Sequence, residues 1–556
     1  MSTSRPYGAL AVLLLAGLLF PSSLFSQSAY IPPDRPKLVV TLVVEQFRYD
    51  FIDRFSDRFG EGGFRMIINE GTYCRNASYD FFSTQSAPGH ATISTGTDPR
   101  FHGIIADNWY HPLRNEVVYC TSDSEVNPVG GSFENGLQSP VNMFPSTFSD
   151  ELEMATNGKS KVYGISLRDH SAILGAGHAA DAAYWYDERS GTWMSSTYYL
   201  DSLPDWVRSF NEMKLPDTYL EEGWTTLLPL EEYNGSMSDT ASWEIGIGGQ
   251  TLFPYRFNRG KVAGLRKGNE TDYSILPMIP AGNTFTNDFA IRLIEEEQLG
   301  VDDITDYLMI GYPVTDNIGH LFGPSSAEMA DAVIRFDRDL AHLLNFLNER
   351  IGKKNYLLCF TSAHGVAGVP EELAESRVPS GRFSYNQALT LLRSYLNVIY
   401  GEGNWVKGYY EKQIYLNRTL IEDARLDLDE MQQTASRFLS QFSGVATAVP
   451  GSVIETGDFT RGYFRTIRNS YDPSRSGDII INLKPGWIET GNFVTNHNSP
   501  YEYDIHVPLI WYGFTVNRMS VTRKVNMNEV AATISALCRV QVPNACMGEP
   551  MTELFR

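Results

Sequence analysis

Long apolar runs are scarce in this chain. Beyond the N-terminus of its 556 residues, no stretch approaches the ~18 uninterrupted apolar residues that a spanning helix needs. The sequence therefore predicts no membrane span in the mature protein. Cysteine is also scarce, with five residues at Cys74, Cys120, Cys359, Cys538 and Cys546. An odd, scattered set excludes a disulfide scaffold and a cysteine zinc cluster. Positive charge is short: 45 Lys and Arg face 66 Asp and Glu, for a net charge of −21. That argues against nucleic acid or an anionic membrane surface as a partner. A phosphate-bearing ligand would have to be drawn in by local positive charge. Internal repeats and low-complexity segments are absent as well.

Residues 1–26 read as a secretory signal. Arg5 supplies a positive start, Gly8 to Phe20 form an apolar core, and Pro21 ends it before the small residues of SSLFSQS. No lipobox cysteine follows, so the expectation is a soluble exported protein, periplasmic or secreted. Residues 27–556 remain for the folded part, with hydrophobic content of 42% to build its core. Export permits disulfides. Cys538 and Cys546, close together around a Pro-Asn turn, are the best pair; Cys74 with Cys120 is a second candidate. Cys359, inside YLLCF, reads as a buried free thiol.

Short apolar runs recur at 38–44, 162–167, 307–311, 356–361 and 507–512. They do not alternate, as expected of strands buried on both faces. A helical pattern runs from Ser326 to Glu349, with Met329, Val333, Phe336, Leu340, Leu344 and Leu347 at steps of three or four. Ser325 with Glu328 fits a capping box before it. Alternating strands and helices imply an α/β fold with a doubly wound, mostly parallel sheet. Residues about 185–300 and about 367–490 break this rhythm and read as two insertions beside the site. The second contains an amphipathic helix near Asp427–Phe442.

Several potential metal ligands lie just after apolar runs. They are Glu45 in LVVEQFRYD, Asp316 and His320 in TDNIGH, His364 in FTSAHGV, and His497 in TNHNSPY. Open α/β sheets assemble sites from such strand ends. Asp316 and His320, four apart, share a helix face and can hold one metal ion. Taken alone, the pair reads by default as an Asp cap beside an unrelated surface histidine. Ser86, in TQSAPGHATIS, lies at a helix start, where backbone amides and the helix dipole favour an alkoxide or a phosphate. A plain N-cap serine is the alternative.

Taken together, APGHATISTGTDPRFHGII, KVYGISLRDHSAIL, TDNIGHLFGPSS, HGVAGVPE, YEYDIHVPLIWYG and PNACMGEPM resemble the phosphate-irrepressible alkaline phosphatases of the alkaline phosphatase superfamily. The resemblance runs over most of the chain beyond the signal. It implies the alkaline phosphatase type of sheet, with the insertions forming a cap. It also implies two zinc ions, about 4 Å apart as in other two-metal sites. Asp316, His320 and His497 would hold the first zinc. The second would take an Asp at the position of Glu45, an Asp-His pair where this chain has Ala363 and His364, and the nucleophile oxygen at Ser86. The family's phosphate-binding Asn aligns with Asp107, and its Lys-x-Arg clamp with Arg168 and His170.

The departures push against phosphomonoester hydrolysis, with one compensation: Glu45, longer than Asp by a methylene, and Asp107 could together re-form the second metal site without Ala363. A lost carboxylate weakens a four-ligand zinc site. Asp107 repels a dianion, and a histidine lacks the bidentate arginine fork. The resemblance thus implies a phosphomonoester hydrolase acting on phosphorylated small molecules through Ser86 and zinc, with one site retained, the second doubtful and activity weakened. One alternative is a catalytically dead pseudophosphatase that binds a protein partner or serves as a scaffold. The other is a phosphodiesterase. On sequence, Ala363→Asp looks sufficient to rebuild the second metal site.

Overall fold

The first strand, Leu38–Val44, reads LVVTLVV and is buried along its whole length. In the computed structural model, which describes residues 34–233, 236, 239–257 and 271–555, the reason is its place at the centre of an eleven-stranded sheet. Leu38, Val40, Leu42 and Val44 point into one apolar core, Val39 and Val43 into another on the opposite face. Period-two alternation between two covered faces needs no polar side.

The middle of the sheet is parallel. Tyr356–Ser362, Leu38–Val44, Asp306–Tyr312, Val162–Ser166 and Ala182–Asp187 lie side by side in that order. Antiparallel strands extend both edges. His506–Gly513 pairs with Tyr356–Ser362 on one side, and Thr192–Ser196 with Ala182–Asp187 on the other. Every apolar run singled out in the sequence is thus a strand of this sheet. The last of them is antiparallel. The sheet also takes in residues 185–187 and 192–196, at the start of the segment read as the first insertion.

The long helix is Ala327–Arg350, with the expected stripe from Met329 to Leu347 buried. Its cap differs from the expected one. Ser326 has extended backbone angles, and its Oγ accepts from Met329 N at 3.1 Å. The helix therefore begins one residue later than a Ser325 cap would require. Glu328 is free of capping and accepts from Tyr255 OH at 2.7 Å.

Residues between 406 and 483 build a separate four-stranded antiparallel sheet, in the order Val406–Tyr410, Gln413–Leu416, Ile479–Leu483, Val445–Pro450. The helices Tyr385–Tyr400 and Leu428–Leu439 cover it with a core of their own, including Leu392, Leu396, Met431 and Leu439. The second of these is the amphipathic helix expected near Asp427–Phe442; Asp427 caps it, and it ends at Leu439.

All five cysteines are free thiols, which corrects both expected pairings. Cys538 closes the helix Glu529–Cys538 and is held in the core with Val530 and Ile534, whereas the Cys546 sulfur lies against Gly96. Cys74 and Cys120 belong to different cores. Cys359 is buried and unpaired, as expected. The segment read as a signal, residues 1–26, lies outside the described residues. No helix among the described residues is long and apolar enough to cross a membrane.

Candidate active site

Four neighbouring parallel strands deliver side chains at their carboxyl ends. Glu45 follows Leu38–Val44, Ala363 and His364 follow Tyr356–Ser362, Asp316 follows Asp306–Tyr312, and Arg168 and His170 follow Val162–Ser166. This end of a parallel sheet is where the chain leaves the plane and loops can converge. Ser86 is the first residue of the helix Ser86–Thr95, every residue of which is buried. Gly89 lets that helix approach closely: a Cβ there would lie 2.4 Å from the carbonyl oxygen of Ala363. The approach brings Ser86 beside His364.

Asp316, His320 and His497 converge with all their donor atoms within 4.8 Å of one another. From Asp316 Oδ1, His320 Nε2 is 3.3 Å away and His497 Nε2 3.7 Å. The other nitrogen of each ring is engaged. His320 Nδ1 donates to Thr495 O at 3.0 Å, and His497 Nδ1 to Thr84 O at 2.8 Å. That tautomer leaves each Nε2 lone pair facing the centre, as metal ligation requires. Burial holds His497 well below the usual histidine range, and so neutral. The donor set and its tautomers fit one divalent ion of the zinc type.

His364 sits beside this cluster, its ring centroid 3.9 Å from that of His497 and its Nε2 4.0 Å from Asp316 Oδ1. Its Nδ1 donates to Gly365 O at 2.8 Å, so its Nε2 is again a lone pair, 3.1 Å from Ser86 Oγ. Ser86 Oγ donates to Glu45 Oε2 at 2.8 Å. Glu45 is fully buried; burial alone would raise its pKa, but Arg168 and His90 outweigh that and hold it far below the usual carboxylate range. Ala363 supplies no donor and packs into an apolar core.

Arg168 does not extend toward solvent. Its Nη1 lies 2.6 Å from Glu45 Oε2 and 2.8 Å from Asp316 Oδ2, and its Nη2 donates to Asn317 Oδ1 at 2.7 Å. His170 is buried, with Nδ1 2.7 Å from Tyr119 OH. Its Nε2 has no hydrogen-bond partner among the described residues. Burial would lower its pKa, but Asp169, Asp107 and Glu45 raise it above the ordinary value. Asp107 accepts from Ala87 N at 2.9 Å, so a carboxylate occupies an amide at the start of the Ser86 helix.

All nine candidates named from the sequence thus lie in one connected neighbourhood. Others were missed. Gln46 Nε2 donates to Asp316 Oδ1 at 2.8 Å, and Ser171 Oγ donates to Glu45 Oε1 at 2.5 Å. His90 Nε2 is 3.5 Å from Glu45 Oε1. His90 had a signal, since it lies four residues after Ser86 and so on the same helix face. Glu411 and Lys412 had none. They form the two-residue turn between Val406–Tyr410 and Gln413–Leu416, both at positive φ, without the Asn-Gly that such turns favour. Glu411 accepts from Gln85, while Lys412 Nζ donates to the carbonyls of His497 and Asn498 at 3.0 and 2.6 Å. The second sheet therefore reaches the centre through this turn.

Known proteins resemble this chain over almost its whole length. Residues 39–505 match the family described as type I phosphodiesterase / nucleotide pyrophosphatase. The chain is 37% identical over 524 residues to alkaline phosphatase PhoV of Synechococcus elongatus, covering 94% of this chain and 93% of that protein. It is 35% identical over 545 residues to alkaline phosphatase PafA of Elizabethkingia meningoseptica, covering 97% and 98%. A crystal structure of wild-type PafA superposes with a TM-score of 0.89 at 35% identity, covering 94% of this chain and 99% of that one.

Proposed function

The chain belongs to the type I phosphodiesterase / nucleotide pyrophosphatase family of the alkaline phosphatase superfamily, and from that premise we propose that it is an exported, zinc-dependent phosphoester hydrolase whose nucleophile is Ser86. One observation carries the reading: the Ser86 hydroxyl lies at a buried helix start, within hydrogen-bond reach of both Glu45 and His364. A complete metal-ligand triad adjoins it. Asp316, His320 and His497 would hold zinc, which when bound supplies a Lewis acid for the phosphoryl and nucleophile oxygens.

The chain's own groups do the rest. Ser86 Oγ attacks phosphorus; the O–P bond forms as the bond to the leaving alcohol breaks. The hydroxyl proton has two acceptors at hand. Glu45 is the weaker base, because its charge is held by Arg168; His364 offers a neutral Nε2. His170, whose pKa is raised by Asp169, Asp107 and Glu45 and whose buried Nε2 has no hydrogen-bond partner among the described residues, would meet a phosphoryl oxygen as the donor in place of the clamp's arginine. Water then cleaves the phosphoserine and restores the hydroxyl.

Asp107 favours a second reading for the substrate. Its carboxylate sits at the amide of Ala87, where a phosphate oxygen would otherwise be received. A unit charge facing another at 4 Å costs about 1 kcal/mol in water and several in a drier site. A monoester dianion feels this twice and a diester monoanion once. The preferred substrates are therefore phosphodiesters, with monoesterase activity weakened. The test is the ratio of kcat/KM for an aryl phosphodiester to that for the matching aryl phosphate, with and without zinc. A ratio far below one, with vigorous monoester turnover near the enzyme median of about 10 per second, would refute the diester preference. Absence of both activities in the zinc-loaded protein would favour the pseudophosphatase instead.

A further inference from the structure

The Glu45 side of the centre is short of ligands yet is not short of positive charge. Its would-be metal seat is bounded by Glu45 Oε2, Asp316 Oδ2 and, through Glu45, the Ser86 hydroxyl. One atom, Nη1 of Arg168, touches both carboxylates at 2.6 and 2.8 Å. These are the short distances of charge-assisted bonds. Both carboxylates are buried almost completely, and ionised groups so placed require a cation in contact. Position 363 adds no ligand to the seat.

We propose that the guanidinium of Arg168 permanently fills the place of a second metal ion, so that this protein works with one exchangeable metal and one cation built into its chain. The proposal rests on the metal-binding part of the function put forward above. Charge supports it independently. The guanidinium contacts two carboxylates, Glu45 and Asp316; a third, Asp107, lies at the start of the Ser86 helix, and Asp169 is paired with His170. Among these groups one divalent cation neutralises the remaining two negative charges, whereas a second would leave an excess of two positive charges. Geometry supports it too. A guanidinium has five N–H donors. Three meet Glu45, Asp316 and Asn317. The side chain is about three-quarters buried, and the two donors left over are the ones a phosphoryl oxygen would meet. Arg168 would then link the metal half to the substrate, a task a lysine point charge cannot perform with the same fork.

Ala363→Asp should not create a second zinc site by itself, because the guanidinium already holds the seat. The experiment is zinc content per chain, by elemental analysis after dialysis, for the wild type, Ala363→Asp, Arg168→Met and the double variant. One zinc is expected in the first two and two in the double variant. Thermal unfolding provides a second readout. After chelation, Arg168→Met should melt well below the chelated wild type, and excess zinc should recover most of the difference. Two zinc ions in the wild type or in Ala363→Asp would overturn the proposal. So would a chelated Arg168→Met protein as stable as the chelated wild type, a result that decides the matter even if the double variant fails to fold. Catalysis is judged separately: an inert wild type with this zinc pattern would refute the hydrolase and leave the built-in cation standing.

Discussion

The two halves of the centre meet the same physical demand by different means. In the Asp316 half, three donors come from one helix and one loop, and backbone carbonyls fix both imidazole tautomers. In the Glu45 half, the donors come from three elements, one position is an alanine, and a side-chain cation contacts the carboxylates. A buried carboxylate needs a counter-charge, and chemistry does not dictate whether a metal or an arginine provides it. On the proposal above, the alanine at 363 and the guanidinium of Arg168 belong to one adaptation.

The sharpest break of this comparison lies at the serine shared between the halves. Ser86→Ala should lower hydrolysis of any aryl phosphoester by ~10³-fold or more, since a covalent nucleophile is lost. A variant with full activity would show that water attacks phosphorus directly.

The next largest effect distinguishes the halves by metal content. His320→Ala with His497→Ala should abolish zinc binding, because two of three donors disappear. His364→Ala should still retain one zinc per chain after dialysis, since the triad is intact. Equal loss in both would mean that the halves form a single site.

Asp107→Asn should shift selectivity toward monoesters. Removing one unit charge near a dianion gives about tenfold in the ratio of monoester to diester kcat/KM, a difference of ~1.4 kcal/mol. An unchanged ratio would remove Asp107 from substrate selection.

The smallest expected effect concerns pH. Burial, then Glu489 and Asp107, push Glu411 from the ordinary 4.5 up to about 8. A folded-state pKa raised in this way gives stability that is complete below pH 4.5. That contribution is lost progressively as pH rises toward about 8, because the unfolded chain gives up the proton first. Glu411→Gln should flatten this decline, seen as a smaller fall in denaturation midpoint between pH 5 and pH 9. A midpoint profile parallel to the wild type would show that Glu411 ionises normally in the folded protein.

Much of this architecture was legible in the sequence because it depends on local pattern. Five apolar runs became five strands of one sheet, since uninterrupted apolar character has one outcome when both faces are covered. The long helix and its buried stripe followed from periodicity. Its cap did not, because Ser325 and Ser326 are equivalent until backbone angles choose between them. The cysteine pairings failed for a related reason: nearness along the chain says nothing about which core a side chain enters.

At the centre, the sequence alone determined the cast: Glu45, Ser86, Asp107, Arg168, His170, Asp316, His320, His364 and His497 could each be named from strand ends, a helix start and the family resemblance. The tertiary structure decided which way each side chain faces. Arg168 aligned with a phosphate clamp, yet its guanidinium turns to two carboxylates 123 and 148 positions away in number, each just beyond the end of a strand that only the folded sheet makes its neighbour. Glu411 and Lys412 entered the site from a separate sheet, through a turn with no local signature. Residue types follow from local chemistry, but contacts between buried charges are set by the whole fold, because each charge takes the partner that the packing leaves within reach.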